Sequence, residues 1–218
     1  MTTTQSLEKI IPSLLERGLE TLSYLLVPLV PMGVKPNHLT WLGFAAGTSG
    51  AIAFYLASSH KIWFLVAAAA ILVHLILDAL DGAVARQRSL TSKSGYFLDL
   101  FLDCLVFVMI PLGVFFSTYD PLKIFVLNAI AYSLHSLLLI HWVHLRNKWI
   151  FPMIGPCEVH LIYIFLAILT FFWSGDVITI NQCSLNWFSL STLIGVPLTI
   201  LELLSLALKL LRELEIEQ

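Results

Sequence analysis

The sequence predicts an all-α membrane protein: six transmembrane helices preceded by an amphipathic interfacial helix. Three observations carry this. The 218 residues are 58% hydrophobic and only 12% charged, whereas a soluble domain carries roughly 25% charged residues. So few charges cannot build a polar surface, and lipid must be the main solvent. The mean hydropathy of +0.88 is concentrated in stretches of about 20 apolar residues, the length that crosses a hydrocarbon core. The segment before them alternates apolar and charged residues at helical spacing instead.

That leading segment, residues 1–35, places Leu7, Ile10, Ile11, Leu14, Leu15 and Leu22 among Glu8, Lys9, Glu16, Arg17 and Glu20. The pattern is that of a helix lying in the membrane interface. Pro12 sits awkwardly inside it and suits a helix start. The six spans are expected at 36–58, 62–85, 95–118, 121–145, 159–174 and 187–211, within a domain of 36–212 followed by a short tail at 213–218. Turn signals separate them at residues 58–61, at Asp120-Pro121, at Gly155-Pro156 and at Ser174-Gly175-Asp176. Trp63, Tyr119 and Trp187 lie near span ends, where aromatic residues anchor helices in the interface. The N-terminus shows no basic stretch, short apolar run and small-residue cleavage site, so no removable signal peptide is expected.

Charge and cysteine usage narrow the class. The net charge of −2 offers no basic field for nucleic acid. Cys104, Cys157 and Cys183 are scattered, which predicts neither a disulfide framework nor a zinc site. Lys9, Arg17, Lys35, Arg86, Arg88, Lys93, Arg146, Lys148, Lys209 and Arg212 fall on one side of the predicted spans, against only Lys61 and Lys123 on the other. The positive-inside rule then predicts cytoplasmic termini and a cytoplasmic loop between the second and third spans.

Four acidic residues break the apolar pattern there. The second span runs into Asp78 and Asp81, and the third opens with Asp99 and Asp103. Each costs ~2.5–3.5 kcal/mol at a helix centre on the insertion scale. At 100° per residue, Asp78, Asp81, Gly82 and Ala85 share an arc of about 100°, and Gly95, Asp99 and Asp103 one of about 80°. The short connection makes the two helices antiparallel neighbours, so the acidic stripes can face each other. Arg86 is the only strongly basic residue on this stretch of either helix. Divalent cations would neutralise the carboxylates, and oxygen-only ligands select Mg²⁺ or Mn²⁺. Two ions sharing carboxylates suit displacement at phosphorus. Gly82 and Ala85 leave room for a ligand close to the backbone. Arg86 can reach a phosphate with its planar fork of donors. Gly95 permits close helix approach or a kink.

These residues spell Asp-x2-Asp-Gly-x2-Ala-Arg-x8-Gly-x3-Asp-x3-Asp, from Asp78 to Asp103. The pattern resembles the signature of the CDP-alcohol phosphatidyltransferase family without a departure. Pro36-Asn37-His38-Leu39-Thr40 is similar, more loosely, to the family's entry into its first span. The resemblance implies a homodimer of six-helix subunits, each with a polar cavity open to the cytoplasm. It implies that Asp78, Asp81 and Asp99 bind metal, and that Asp103 lies near the second ion and acts as general base. It implies that Gly82, Ala85 and Arg86 border the CDP group, with Asn37, Thr40, Thr91 and Gly95 beside the donor. The reaction implied moves a phosphate-bearing group from a CDP-linked lipid or CDP-alcohol donor to an alcohol acceptor, releasing CMP. A lost proton and a developing negative charge both fit such a site.

Other polar residues are weighed with these. His74 shares the face of Asp78 and could orient a ligand or simply pack. His135, His141 and His144 lie on the fourth span, Glu158 and His160 open the fifth, and Glu202 lies within the sixth. Glu158, His141 and Glu202 are candidates for the acceptor pocket, against a structural hydrogen bond. A channel or transporter would also place acids in the membrane, but these cluster near one face and the chain has no repeat. An intramembrane prenyltransferase would need other motifs. Between CDP-diacylglycerol and CDP-choline or CDP-ethanolamine as donor, family frequency favours the first.

Overall fold

A computed structural model of the chain describes residues 8–10, 13–146, 148–150, 154–180 and 183–216. Seven α-helices dominate. The first, α1 (Leu14–Leu26), opens at Ser13, whose hydroxyl accepts the backbone N–H groups of Leu15 and Glu16. Helical spacing over residues 7–22 allowed an earlier start, with Pro12 as the other expected beginning, and the observed helix opens just after Pro12. Before it, β1 (Glu8–Ile10) is extended, and it pairs in parallel with β2 (Lys148–Ile150). Leu7 and Ile11 lie outside the described residues. A short 3₁₀ turn, Val27–Leu29, ends the segment.

Six further helices follow: α2 (Pro36–Leu56), α3 (Trp63–Gln87), α4 (Lys93–Phe116), α5 (Val126–Arg146), α6 (Pro156–Phe172) and α7 (Trp187–Glu215). Five of these are long and apolar enough to cross a membrane, and α6 is a shorter apolar helix of 17 residues. That length is at the lower edge of what spans the hydrocarbon. The fourth span begins at Val126 rather than at residue 121. Asp120 holds residues 121–125 in a turn by accepting N–H bonds from Ile124 (3.2 Å) and Phe125 (2.9 Å). The fifth begins three residues earlier than its hydropathy suggests, with proline at the first turn as helices favour.

The bundle is built on α2, which packs most extensively against α3 and α4. Small residues let it do so. A Cβ added to Gly113 of α4 would lie 2.2 Å from the Ala51 carbonyl oxygen of α2. A Cβ on Gly47 would lie 2.7 Å from Val106 of α4 and 3.3 Å from His74 of α3. Without such glycines the three backbones could not approach so closely.

One end of the bundle is an aromatic core. Phe188 of α7 meets Phe125 at 5.2 Å and Phe54 of α2 at 5.7 Å between ring centroids, and Phe64 of α3 meets Tyr119 at 4.7 Å. Tyr119, Trp63 and Trp187 are partly buried against this core, so they do more than anchor span ends. Beyond Phe188, α7 leans on α5 through Asn128–Thr192 (2.9 Å), Trp142–Leu210 and the ion pair Arg146–Glu213 (3.2 Å). Its other face exposes Ile194, Leu201 and Leu204, as a lipid-facing helix does. The 29 residues of α7 reach about 43 Å, longer than a hydrocarbon core of about 30 Å. That length is enough for the charged last turns to reach beyond the lipid.

Candidate active site

The other end of the bundle gathers the acids. The turn from α3 to α4 is tight: Leu90 N–H donates to the Ala85 carbonyl (2.8 Å) and Ser89 N–H to that of Arg86 (3.3 Å), with Ser89 at φ 55°. This double closure satisfies the last carbonyls of α3 and reverses the chain. Ser92 then caps α4 by accepting the Gly95 N–H at 3.0 Å. Asp78 and Asp81 end up beside the first turns of α4, opposite Asp99 and Asp103.

Carboxylate oxygens of Asp78, Asp99 and Asp103 lie within 4.8 Å of one another, each residue half-buried. Asp103 comes within hydrogen-bond reach of Asp78. Asp81, expected to converge with them, stands beside the trio and feels both Asp78 and Asp103. Three residues turn a helix by 300°, so Asp81 is rotated about 60° from Asp78, toward α2. There it accepts a hydrogen bond from Thr40 Oγ1 at 2.5 Å. Thr40, placed beside the donor by resemblance, thus reaches the site through Asp81.

Arg86, one turn past Gly82, lies back over it: a Cβ at Gly82 would sit 3.0 Å from Arg86 Nη1. The room left by Gly82 is therefore taken by this guanidinium. Two residues of α1 hold it. Arg86 Nε donates to Tyr24 Oη at 2.8 Å, and Arg86 Nη2 lies 3.6 Å from Glu20 Oε1. Asn37 and Gly95 meet where α2 crosses the start of α4, a Cβ on Gly95 falling 3.3 Å from Asn37 Oδ1. Thr91 is exposed in the α3–α4 turn, and Ala85 is half-buried on the face of Asp78.

The acceptor candidates lie differently. Glu158 caps its own helix by accepting the Gly155 N–H (2.9 Å) and receives the Ser13 hydroxyl of α1. Glu16 of α1 returns the arrangement, accepting the Cys157 N–H of α6 at 3.0 Å. The two helix starts are cross-capped, so Glu158 has a structural task. His141 Nδ1 bonds the Leu137 carbonyl of its own helix at 2.8 Å. Glu202 interacts electrostatically with buried His135. His74 is a packing residue: its Nδ1 lies 3.1 Å from the Gly43 carbonyl and its ring 4.8 Å from that of His160. His160 in turn meets Phe107 at 4.5 Å, one helical turn below Asp103.

Sequence reasoning missed Tyr24, the partnership of Glu20 with Arg86, and Gly43, Gly47 and Gly113. The glycine spacing Gly43-x3-Gly47 was a usable signal for close helix packing. For Tyr24 there was only its position four residues after Glu20, on the same helical face.

Comparison with known proteins places the fold in a family. The chain is 43% identical over 81 residues to the inner membrane protein YnjF of Escherichia coli (strain K12), covering 37% of this chain and 36% of that protein. It is 37% identical over 86 residues to archaetidylinositol phosphate synthase of Pyrococcus horikoshii, covering 39% and 43%. The chain thus matches well under half the length of these curated relatives. The fold resembles the crystal structure of Mycobacterium tuberculosis phosphatidylinositol phosphate synthase (PgsA1), determined with CDP-DAG bound, at a TM-score of 0.63 and 16% identity. That match covers 87% of this chain and 91% of the other. The CDP-alcohol phosphatidyltransferase family model matches residues 34–201. The chain is an integral membrane protein that belongs to the CDP-alcohol phosphatidyltransferase family.

Proposed function

We propose that this protein transfers a phosphatidyl group from CDP-diacylglycerol to an alcohol and releases CMP, with two divalent cations at Asp78, Asp81, Asp99 and Asp103. The convergence of three carboxylates within 4.8 Å, inside an apolar bundle, carries this reading. Like charges at that spacing cannot all stay ionised without a counter-charge. The all-oxygen donor set fits Mg²⁺ or Mn²⁺. Such ions, when bound, neutralise the acids and polarise the diphosphate. The CDP-DAG held by the structural neighbour supports the choice of donor.

The chain's own residues divide the remaining work. Thr40 orients Asp81. Arg86 receives donor phosphate oxygens, and Gly82, Ala85, Gly95, Asn37 and Thr91 border the nucleotide. Asp103 takes the proton of the acceptor hydroxyl. That oxygen bonds the lipid-side phosphorus, and the bridging P–O bond breaks to free CMP. Glu158, His141 and Glu202 are tested for the acceptor side by their effect on the acceptor KM. The site faces the cytoplasm in this reading, because Arg86, Arg88, Lys93, Arg146 and Arg212 all lie at the carboxylate end. The subunit pairs as a homodimer, as family membership suggests.

Purified protein with labelled CDP-diacylglycerol, Mg²⁺ and a panel of alcohols tests this directly. CMP release is expected with at least one alcohol and is abolished by a chelator. Full release in metal-free buffer would rule out the metal site, and release only from CDP-choline or CDP-ethanolamine would reassign the donor. A cysteine introduced at Glu217 should resist an impermeant reagent applied outside intact cells. Labelling there would reverse the orientation.

A further inference from the structure

We propose that α1 sets the aim of Arg86: Tyr24 is a positioning residue that fixes the guanidinium over Gly82, and Glu20 holds the edge that a donor phosphate must take. This rests on the reading of Arg86 as a donor-phosphate contact. The geometry divides the guanidinium into two parts. Tyr24 occupies Nε at 2.8 Å, and its ring lies under the Arg86 guanidinium carbon at 5.5 Å. That leaves the terminal amino groups pointing along the surface of α3. Nη1 lies over Gly82, 3.0 Å from where a Cβ would stand. Nη2 faces Glu20 at 3.6 Å, with the two side chains 37% and 33% exposed.

The two α1 contacts differ in strength. The tyrosine bond is short and combines with a ring face, so it can persist when a ligand arrives. The glutamate contact is long, partly exposed and screened by water, so a phosphate bearing more charge can replace it. Arg86 also interacts electrostatically with Asp81, which ties its position to the acid site. A guanidinium held in advance loses less rotamer freedom on meeting a phosphate.

Docking of α1 does not depend on Tyr24. Its start is cross-capped with α6 through Ser13, Glu16, Cys157 and Glu158. The connection that follows it is held by Arg88, whose guanidinium donates to the carbonyls of Val30 (2.5 Å), Val34 (3.1 Å) and Pro31 (3.2 Å). Removing one phenolic hydroxyl should therefore change Arg86 without releasing the helix.

The test is the Kd of the purified full chain for CDP-diacylglycerol in detergent micelles with Mg²⁺, read by thermal stabilisation. Tyr24→Phe is expected to raise the Kd about fivefold, with an unchanged melting temperature before ligand is added. Glu20→Gln is expected to lower it about twofold. Arg86→Gln should raise it at least about tenfold and erase both α1 effects. A wild-type Kd for Tyr24→Phe, or the same rise in the Arg86→Gln background, overturns the proposal while leaving Arg86 a donor contact. A wild-type Kd for Arg86→Gln itself overturns the underlying reading, and this proposal with it.

Discussion

The two ends of the bundle are built on opposite principles. At one end Phe54, Phe64, Phe125 and Phe188 are almost wholly buried against each other. At the other, Asp78, Asp99 and Asp103 crowd together half-buried, and the surrounding helices are joined by separate polar contacts. Packing of apolar rings stabilises the first end. Crowding of like charges costs stability at the second, and that cost is tolerated where a cation or substrate will meet the charge. The contrast separates what keeps the protein folded from what lets it react.

The sharpest way to break the comparison is to remove charge from the acid end. Asp78→Asn, Asp81→Asn and Asp99→Asn are each expected to lower metal-dependent CMP release by at least about 10²-fold, while the melting temperature stays level or rises. Near-normal turnover in any two would show that the acids are not ligands. Asp103→Asn should lose turnover by about 10²–10⁴-fold yet still be stabilised by donor and Mg²⁺. If it loses donor binding as fully as Asp78→Asn does, Asp103 is a ligand first and the base lies elsewhere.

The opposite end should respond in the opposite currency. Phe64→Ala is expected to cost about 3–5 kcal/mol of stability, read by thermal unfolding in detergent, with turnover per folded molecule little changed. Loss of turnover without loss of stability would mean that the aromatic end shapes the site. Gly113→Ala probes the close packing of α4 on α2, because the new methyl collides with the Ala51 carbonyl. It should cost about 1–3 kcal/mol and also slow turnover, since α4 carries Asp99 and Asp103. The smallest effect belongs to Ser13→Ala, which removes the cap of α1 and its bond to Glu158. About 0.5–2 kcal/mol is expected, with turnover less affected than in Asp78→Asn.

The acid end was the more legible of the two. Asp78, Asp81, Asp99 and Asp103 stand out because a carboxylate in an apolar run is rare for physical reasons. Their spacing also made two facing stripes predictable from helix geometry alone. The aromatic core was not legible, because Phe54, Phe64, Phe125 and Phe188 look like any other apolar residue in spans that lipid could equally solvate. Glu158 was open between two roles for a related reason. An acid near a span end can cap a helix or bind a substrate, and only its neighbours Gly155 and Ser13 distinguish the two.

By itself the sequence determined the solvent, the run of helices and the four carboxylates, since hydropathy, spacing and charge are local properties of the chain. The tertiary structure decided which carboxylates meet and who attends them. Three converge while Asp81 turns to Thr40, because the approach of α2 depends on glycines that become contacts only when three helices pack. Arg86 meets Tyr24 and Glu20 across more than sixty positions of chain, a pairing no local pattern encodes. Helix periodicity fixes the face on which a residue lies, and packing alone fixes what that face meets.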